Sequence, residues 1–324
     1  MNILPGNMRF GAGLSPKRLE DQRLLTGQGL FIDDKPEDGA LWLYVLRSPH
    51  AHARIVSMDI TAARAMPGVE AIYSGADLVA DDVGTLPTLP IFKRPDGSAA
   101  TFPPRRLLAH EIVRYAGESV AAIVANSRSA AQLAAEAIEI IYDVMPAVVD
   151  LAAAMQPGAP VVWPAAPDNI VAATSYGDAD KVEAAFAAAK HVVSLDLVSQ
   201  RLMPSALEPR STIAEVDPKS GRLTLHVQSQ TPASTRDILA DAILKRPKDS
   251  IRVVVGDIGG GFGQKTSLYP EDGIVAYAAV KLGRKIRWRG DRTDDFVGGT
   301  HGRGLSSTAS AASPRSAGSR SLHA

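Results

Sequence analysis

A glycine-rich loop in the second half of the chain contains residue types that can do chemistry. Residues 253–255 form an apolar, β-branched run that predicts a buried strand, and residues 259–263 then read Gly-Gly-Gly-Phe-Gly. Glycines between a strand and a helix leave backbone N–H groups exposed and let a ligand approach the main chain closely. The phenylalanine suits contact with a flat or apolar part of that ligand. We interpret the loop as a ligand-binding element, with an ordinary tight turn as the alternative.

The spacing of this loop fits neither of two common phosphate-binding motifs. A P-loop requires glycine followed directly by lysine and Ser/Thr, but Gln264 separates Gly263 from Lys265. The dinucleotide pattern Gly-x-Gly-x-x-Gly, started at Gly259, ends on Gln264 instead of glycine. An unrelated nucleotide-binding protein is therefore the disfavoured interpretation.

Two strand–loop–helix units follow one another in this part of the sequence. Residues 222–227 alternate as a strand, and Gln230 lies in the loop that follows. After the glycine loop, a periodic apolar segment begins at Pro270-Glu271-Asp272 and stops at Gly283, as expected for a helix with proline and acids in its first turn and glycine past its end. If both strands share a sheet, Gln230 and the glycine loop lie at strand carboxyl ends, where α/β sheets bind ligands.

Three other side chains could do chemistry but have simpler interpretations. Glu208 could be a buried functional carboxylate, although we expect it to be half-exposed and paired with a neighbouring arginine. His50 and His52 are two residues apart, but no further metal ligands are near them in the sequence. We therefore predict no metal site formed by protein side chains.

Composition excludes several classes of protein. The chain has 324 residues, with 35 basic and 35 acidic residues, so it has no net charge that would attract nucleic acid. It contains no cysteine, which excludes disulfides, thiolate zinc sites and an iron–sulfur cluster held by this chain. Residues 1–14 lack the apolar core of a signal peptide, and no apolar run reaches the length of a membrane span. We expect a cytoplasmic protein.

The pattern of strands and helices predicts an α+β fold in several segments. Residues 1–18 are irregular, and residues 19–150 form a mixed α+β unit. Residues 151–170 contain four prolines and are expected to be a linker. Residues 171–304 form the second unit. Residues 305–324 are rich in Ser, Ala and Arg, without apolar periodicity, and are expected to be disordered.

Short motifs in both units resemble the molybdopterin-binding large subunit of the xanthine dehydrogenase / aldehyde oxidase / aerobic carbon monoxide dehydrogenase family. They are residues 24–27 (LLTG), 31–34 (FIDD), 46–53 (LRSPHAHA), 66–69 (MPGV), 114–118 (RYAGE), 207–210 (LEPR), 229–231 (SQT) and 259–265 (GGGFGQK). The resemblance covers about residues 15–304. It implies an N-terminal α/β hammerhead domain followed by the beginning of a molybdenum-cofactor-binding α/β domain.

The resemblance also implies roles for residues of the loop. In the family, the glycine–phenylalanine loop lies against the molybdopterin cofactor, with its backbone donors at the metal end and the phenylalanine near the substrate pocket. This carries over to Gly260, Gly261, Phe262 and Gly263 as cofactor-binding residues. The family glutamine that approaches the metal corresponds to Gln230.

Further implications concern substrate and partners. Purine-oxidising members have a glutamate directly after the loop lysine, whereas this chain has Thr266, which favours an aldehyde, carbon monoxide or an N-heterocycle as substrate. Water would supply the oxygen, and electrons would pass to an iron–sulfur small subunit and an FAD-binding medium subunit, in a complex that could be a homodimer of heterotrimers. The catalytic glutamate base of the family lies beyond the segments matched here, so we assign no catalytic residue.

The resemblance implies a shortened chain. In relatives, the segment like residues 300–303 continues into further strands, whereas here it runs into the Ser/Ala/Arg segment. We therefore expect a truncation, with a frameshift after Arg303 as the simplest hypothesis, and exposed apolar strand edges that cause poor solubility or reliance on partners. The alternative to an enzyme fragment is a non-catalytic remnant or subunit-interaction domain.

Overall fold

The computed structural model describes residues 17–88, 92–94 and 96–313. The strands are β1 (Leu41–Arg47), β2 (Ala53–Asp59), β3 (Val69–Ser74), β4 (Ile112–Val113), β5 (Ser119–Ala125), β6 (Glu139–Val144), β7 (His191–Ser199), β8 (Ser211–Val216), β9 (Leu223–Val227), β10 (Ile251–Val254), β11 (Ile286–Arg289) and β12 (Leu305–Ser313). The helices are α1 (Asp21–Leu25), α2 (Thr61–Arg64), α3 (Gly75–Ala80), α4 (Arg128–Glu136), α5 (Leu151–Ala154), α6 (Ala179–Ala188), α7 (Pro232–Asp237), α8 (Pro270–Leu282) and α9 (Arg292–Gly298). The predicted α+β fold is confirmed.

A mixed seven-stranded sheet forms the centre of the molecule, in the order β10-β9-β8-β11-β1-β5-β3. It contains strands from both predicted units, because β1 pairs in parallel with β11 through Leu41 and Ile286. A second sheet, β4-β2-β6, lies in the N-terminal unit. The domain boundary near residue 150 stays a prediction, and the central sheet extends across it.

The core lies on both faces of the central sheet. Strand β5 is buried along its whole length, which explains its continuous apolar run. Its alternate residues face two separate clusters: Ala122 and Val124 pack in the cluster that contains α8, whereas Ala121 and Ile123 pack in the cluster that contains α4. The helix α8 begins with Pro270 at its N-terminus and ends at Gly283, whose φ of 61° is left-handed, as the sequence predicted.

The prediction of disorder from residue 305 was wrong for the described part of that segment. Residues Leu305–Ser313 form β12, which pairs antiparallel with β7 at all nine positions. Low apolar content was the basis of the prediction, but a strand ladder uses backbone groups that Ser and Ala also possess. Residues 314–324, and residues 1–16 of the predicted irregular N-terminus, lie outside the described residues.

The helix α6 has a side-chain cap at its start. Its N-cap is Asp178, whose side chain accepts a hydrogen bond from the Lys181 N–H at 3.1 Å. None of its residues is buried. Elsewhere, no helix in the described ranges has both the length and the apolar character needed to cross a membrane.

Candidate functional site

The two loops predicted to bind a ligand lie side by side. Strands β9 and β10 are parallel neighbours, paired from Leu223 and Ile251 at one end to His226 and Val254 at the other. Their carboxyl ends therefore share one edge of the central sheet, where such sheets bind ligands. The loop after β9 contributes Gln230, and the loop after β10 contributes the glycine segment.

The glycine loop has a backbone conformation that few residues adopt. Gly260 and Gly263 have φ values of 102° and 85°, which cost little only for glycine. Phe262 also has a positive φ of 49°, uncommon for a residue with a side chain, and 76% of its surface is exposed. Such backbone strain concentrates at functional sites, and an exposed aromatic ring beside it is available to a ligand.

Gln230 fixes the loop from one side. Its side-chain Oε1 accepts a hydrogen bond from the Gly263 N–H at 3.1 Å, and its own N–H donates to the Lys265 carbonyl at 2.8 Å. A Cβ added at Gly261 would lie 2.7 Å from Cδ and Oε1 of Gln230, so glycine is required for this close approach. Because Oε1 is engaged, the side-chain Nε2 is the donor left for a ligand.

Three consecutive backbone amides in the loop are also available. The Gly259 N–H donates to Glu208 Oε2 at 2.6 Å, whereas those of Gly260, Gly261 and Phe262 have no acceptor among the described residues. None of these three is fully buried. The loop therefore presents neutral hydrogen-bond donors beside one exposed aromatic ring.

Glu208 and Lys265 hold the two ends of the loop together. The buried Lys265 Nζ donates to the Glu208 carbonyl at 2.9 Å and lies 3.2 Å from its carboxylate Oε2. Burial lowers the pKa of Lys265, while the Glu208 charge acts in the opposite direction. The predicted arginine partner of Glu208 was therefore wrong, since its ion-pair partner is the loop lysine, 57 residues away in the chain.

A buried ion-pair network lies behind the site and was missed by the sequence analysis. Glu271 in the first turn of α8 is 1% exposed and accepts from Arg47 Nη2 at 2.5 Å and from Arg210 Nη1 at 3.0 Å. Arg210 also donates to Asp295 at 2.9 Å and stacks over Tyr269, with its Cζ 4.0 Å from the ring centroid. The network joins the N-terminal unit to the elements that support the loop.

Two adjacent carboxyls in this region have opposite pKa shifts. Burial disfavours ionisation of Glu271, but the charges of Arg210 and Arg47 outweigh it and lower the pKa of Glu271 to about 2. The neighbouring Asp272 is also buried, accepts from Thr212 and from the Tyr269 N–H, and burial raises its pKa to about 6. The acids at the start of α8 were predicted only as a helix-start pattern, and nothing local in the sequence indicated their arginine partners.

His50 and His52 each contact a neighbouring group of the N-terminal unit. His52 Nδ1 lies 2.7 Å from the Pro146 carbonyl, and the His50 ring packs edge-on against Tyr142. Within the described ranges, no group of three or more His, Asp or Glu side chains is placed to hold a metal ion.

Two family models match the chain in the order of its two units. Residues 26–146 match the aldehyde oxidase and xanthine dehydrogenase a/b hammerhead domain. Residues 162–317 match the molybdopterin cofactor-binding domain. The second match extends past Arg303 to residue 317, and the expected truncation stays a prediction.

Individual proteins show the same similarity. The carbon monoxide dehydrogenase large chain of Hydrogenophaga pseudoflava is 33% identical, over 88% of this chain and 36% of its own length. The nicotine 6-hydroxylase large subunit of Paenarthrobacter nicotinovorans is 35% identical, over 88% of this chain and 34% of its own. The structure of quinoline 2-oxidoreductase from Pseudomonas putida 86 superposes with a TM-score of 0.83 at 35% identity, over 93% of this chain and 37% of that one. The chain thus spans about a third of these relatives.

Proposed function

The chain belongs to the molybdopterin-binding large-subunit family of xanthine dehydrogenase, aldehyde oxidase and carbon monoxide dehydrogenase, and on that premise we propose that it forms one side of a molybdenum hydroxylase active site. The cofactor of this family is molybdopterin. Because the chain spans about a third of its relatives, the activity of the whole enzyme is part of the proposal.

The proposal rests on one observation: Gln230 and the glycine loop lie together at the carboxyl ends of β9 and β10. The backbone N–H groups of residues 260–262 and the Gln230 Nε2 have no acceptor there among the described residues. The charges around the loop are already neutralised, since Lys265 pairs with Glu208, and Asp257 pairs with Arg23 and the Leu30 N–H. Gln230 and residues 260–263, which we call the cradle, therefore present neutral donors, and these suit a ligand rich in oxygen and nitrogen atoms. Open space at Gly263, where an added Cβ would meet nothing within 4 Å, provides room for it. These features fit molybdopterin.

Each residue of the cradle has a separate proposed role. The backbone N–H groups of Gly260, Gly261 and Phe262 donate to the cofactor, and Gln230 Nε2 donates beside them. Gly263 keeps the backbone turned so that its N–H holds Gln230 in place. The cofactor supplies the two-electron redox chemistry when it is bound. The Phe262 ring, exposed next to the donors, contacts the substrate.

The substrate and partners follow from the relatives and are part of the proposal. Thr266 stands where purine-oxidising members have glutamate, so we infer an aldehyde, carbon monoxide or an N-heterocycle as substrate. The named relatives are large chains or subunits, which supports assembly with other subunits. We infer that these are an iron–sulfur subunit and an FAD-binding subunit, because this chain has no cysteine to hold a cluster.

The second candidate function is a subunit-interaction domain that binds no cofactor. It rests on the matched segment itself, which spans about a third of the relatives and in which no catalytic residue is assigned. The two candidates differ in one measurable property, which is cofactor content.

The test is the molybdenum and pterin content of the full chain, purified from a host that makes molybdopterin. We expect about one pterin per chain, measured by fluorescence after oxidative release. Gly261→Ala should lose most of it, because the new Cβ would displace Gln230. The matched control is Gly256→Ala, where an added Cβ meets only the Leu30 carbonyl at 3.4 Å, and its content should equal that of the parent. Absence of pterin from the parent chain would support the interaction-domain alternative instead.

A further inference from the structure

A cavity of about 650 Å³, which we call the interunit cavity, lies where the two units of the chain meet. Its lining comes from residues 51–52 and 114–116, from parts of residues 147–171, and from residues 201 and 296–301. None of the cradle residues lines it. A cavity of this size accommodates a small organic molecule.

The wall formed by residues 147–171 is held in shape by one side chain. Asn169 Nδ2 donates to the carbonyls of Ala154 and Pro160, both at 2.9 Å. Its Oδ1 accepts a hydrogen bond from the Val162 N–H at 3.0 Å. Because these contacts form within the chain itself, little ordering of the wall remains to be done when a ligand binds.

Arg114 places a positive charge in the lining. Its guanidinium carbon lies 3.5 Å from the centroid of the Trp163 ring, which also lines the cavity. Nη1 donates to the Ile112 carbonyl at 3.2 Å and Nε to the Val162 carbonyl at 3.3 Å, whereas Nη2 has no acceptor among the described residues. Burial lowers the pKa of Arg114, and the charge of Glu118 acts in the opposite direction. One end of this partly desolvated cation is therefore available to an anion.

The other charged side chains of the lining leave a positive balance. Arg201 is exposed, and its side chain forms no hydrogen bond with a described residue. Among the described residues, Asp150 is the one acid in the lining, and its Oδ1 already accepts from the Ala153 N–H at 2.7 Å. Two arginines and one carboxylate suit a ligand with a single negative charge.

Most of the remaining lining is apolar. Its larger aliphatic and aromatic side chains, besides Trp163, are Val149, Leu151, Val171, Phe296 and Val297. An inorganic anion would gain nothing from these side chains, whereas an apolar group attached to the anion would be removed from water. We propose that the interunit cavity binds a small carboxylate with an apolar body, with the carboxylate on Arg114 and the body against the apolar lining. The arginine fork matches the geometry of a carboxylate.

The test is isothermal titration of the full chain with hydrocinnamate and with hydrocinnamyl alcohol, which has the same body without the charge. We expect the acid to bind at least about tenfold more tightly than the alcohol, because a hydrogen bond to a charged group forms only with the acid. Arg114→Gln should remove at least about tenfold of the affinity for the acid and change that for the alcohol by less than about twofold.

Two further variants separate charge from folding. Arg201→Gln alters an exposed side chain without a described partner, so it should fold normally and weaken binding of the acid about threefold. Arg252→Gln is the matched control, because Arg252 is exposed on β10 and does not line the cavity. It should change the affinity for the acid by less than about twofold.

Four results would overturn the proposal. Equal binding of the acid and the alcohol would show an apolar surface without selectivity for charge. Displacement of the acid by an equal concentration of inorganic phosphate would show a general anion site. Unchanged affinity in both Arg114→Gln and Arg201→Gln would place the acid elsewhere, and no binding at about 1 mM acid would exclude the site as a specific one. Pterin content does not enter these measurements, so their failure is distinct from a failure of the pterin test.

Discussion

Replacing Glu271 with glutamine removes the carboxylate that both Arg47 and Arg210 use. Glutamine has nearly the same size, but it has one acceptor oxygen where the carboxylate has two. One arginine therefore faces an amide N–H instead of an oxygen. Arg47 keeps Asp294 at 2.7 Å and Arg210 keeps Asp295 at 2.9 Å, so neither arginine loses all of its partners.

The expected loss of stability can be worked from the pKa of Glu271. The pKa falls from 4.5 to about 2 in the folded chain. At about 1.4 kcal/mol per pKa unit, this corresponds to about 3 kcal/mol of stability at neutral pH. Removing one partner of a buried ion pair typically costs about 3–5 kcal/mol, which agrees with this figure.

The dependence on pH distinguishes an ionic contribution from a packing effect. Because the folded-state pKa of Glu271 is below its ordinary value, its stabilising contribution is complete above about pH 4.5 and is lost as the pH falls towards 2. The difference between the parent and Glu271→Gln should therefore be constant from pH 7 to 8, above the pKa values of both carboxyls, and should shrink below pH 4.5. Asp272, whose pKa is raised to about 6, has the opposite sign: ionising it as the pH rises from 3.8 to 6 destabilises both proteins.

Urea unfolding followed by tryptophan fluorescence at pH 7 and at pH 3 measures this difference. Trp288 is a suitable probe because its ring centroid lies 5.4 Å from the Arg210 guanidinium carbon. Glu183→Gln is the matched control, since Glu183 is exposed and forms no salt bridge with a described residue, and it should change stability by less than about 0.5 kcal/mol. A loss below about 1 kcal/mol at pH 7, or an equal loss at both pH values, would refute the ionic explanation.

Three further substitutions test other parts of the structure. Glu208→Gln should cost about 1–3 kcal/mol and speed hydrogen exchange at the Gly259 amide, because the loop loses its charged acceptor; unchanged exchange would contradict this role. Gly84→Ala should destabilise the chain by about 3 kcal/mol or more in urea unfolding, because the new Cβ would overlap the Ala242 carbonyl oxygen, and a neutral effect would show that the backbone can move there. Leu225→Ala should cost about 2–5 kcal/mol in the same assay, since this fully buried side chain would leave a cavity, and a smaller cost would mean that the core collapses around it.

Local pattern predicted the elements that carry the candidate site. The prediction of a helix that begins at Pro270 and stops at Gly283 was correct. The proline and two acids at its start and the glycine past its end each act within one turn of a helix end. Two successive strand–loop–helix units predicted that both loops lie at strand carboxyl ends if the strands share a sheet, and β9 and β10 are parallel neighbours in one sheet. These features depend on residues close together in the sequence, so they can be derived from it.

Long-range pairing could not be derived in the same way. Arg47 and Glu271 are 224 residues apart, and many charged residues of either sign could have been partners. Glu208 shows the same problem, because its neighbour Arg210 pairs with α8 and α9 instead, and its own partner is Lys265. Strand β12 was missed for another reason: pairing with β7 stabilises a sequence that has little strand propensity of its own.

The position of β1 in the central sheet sets an order of events during synthesis. Its two neighbours are β5, complete at Ala125, and β11, which begins at Ile286. A ribosome adds the intervening residues at about 5–20 per second, so one edge of β1 stays unpaired for roughly ten seconds or more. During that interval the strand is open to pairing with other chains, and the late arrival of β11 protects it. We therefore expect nascent chains that stop before residue 286 to need a chaperone more than chains that include β11.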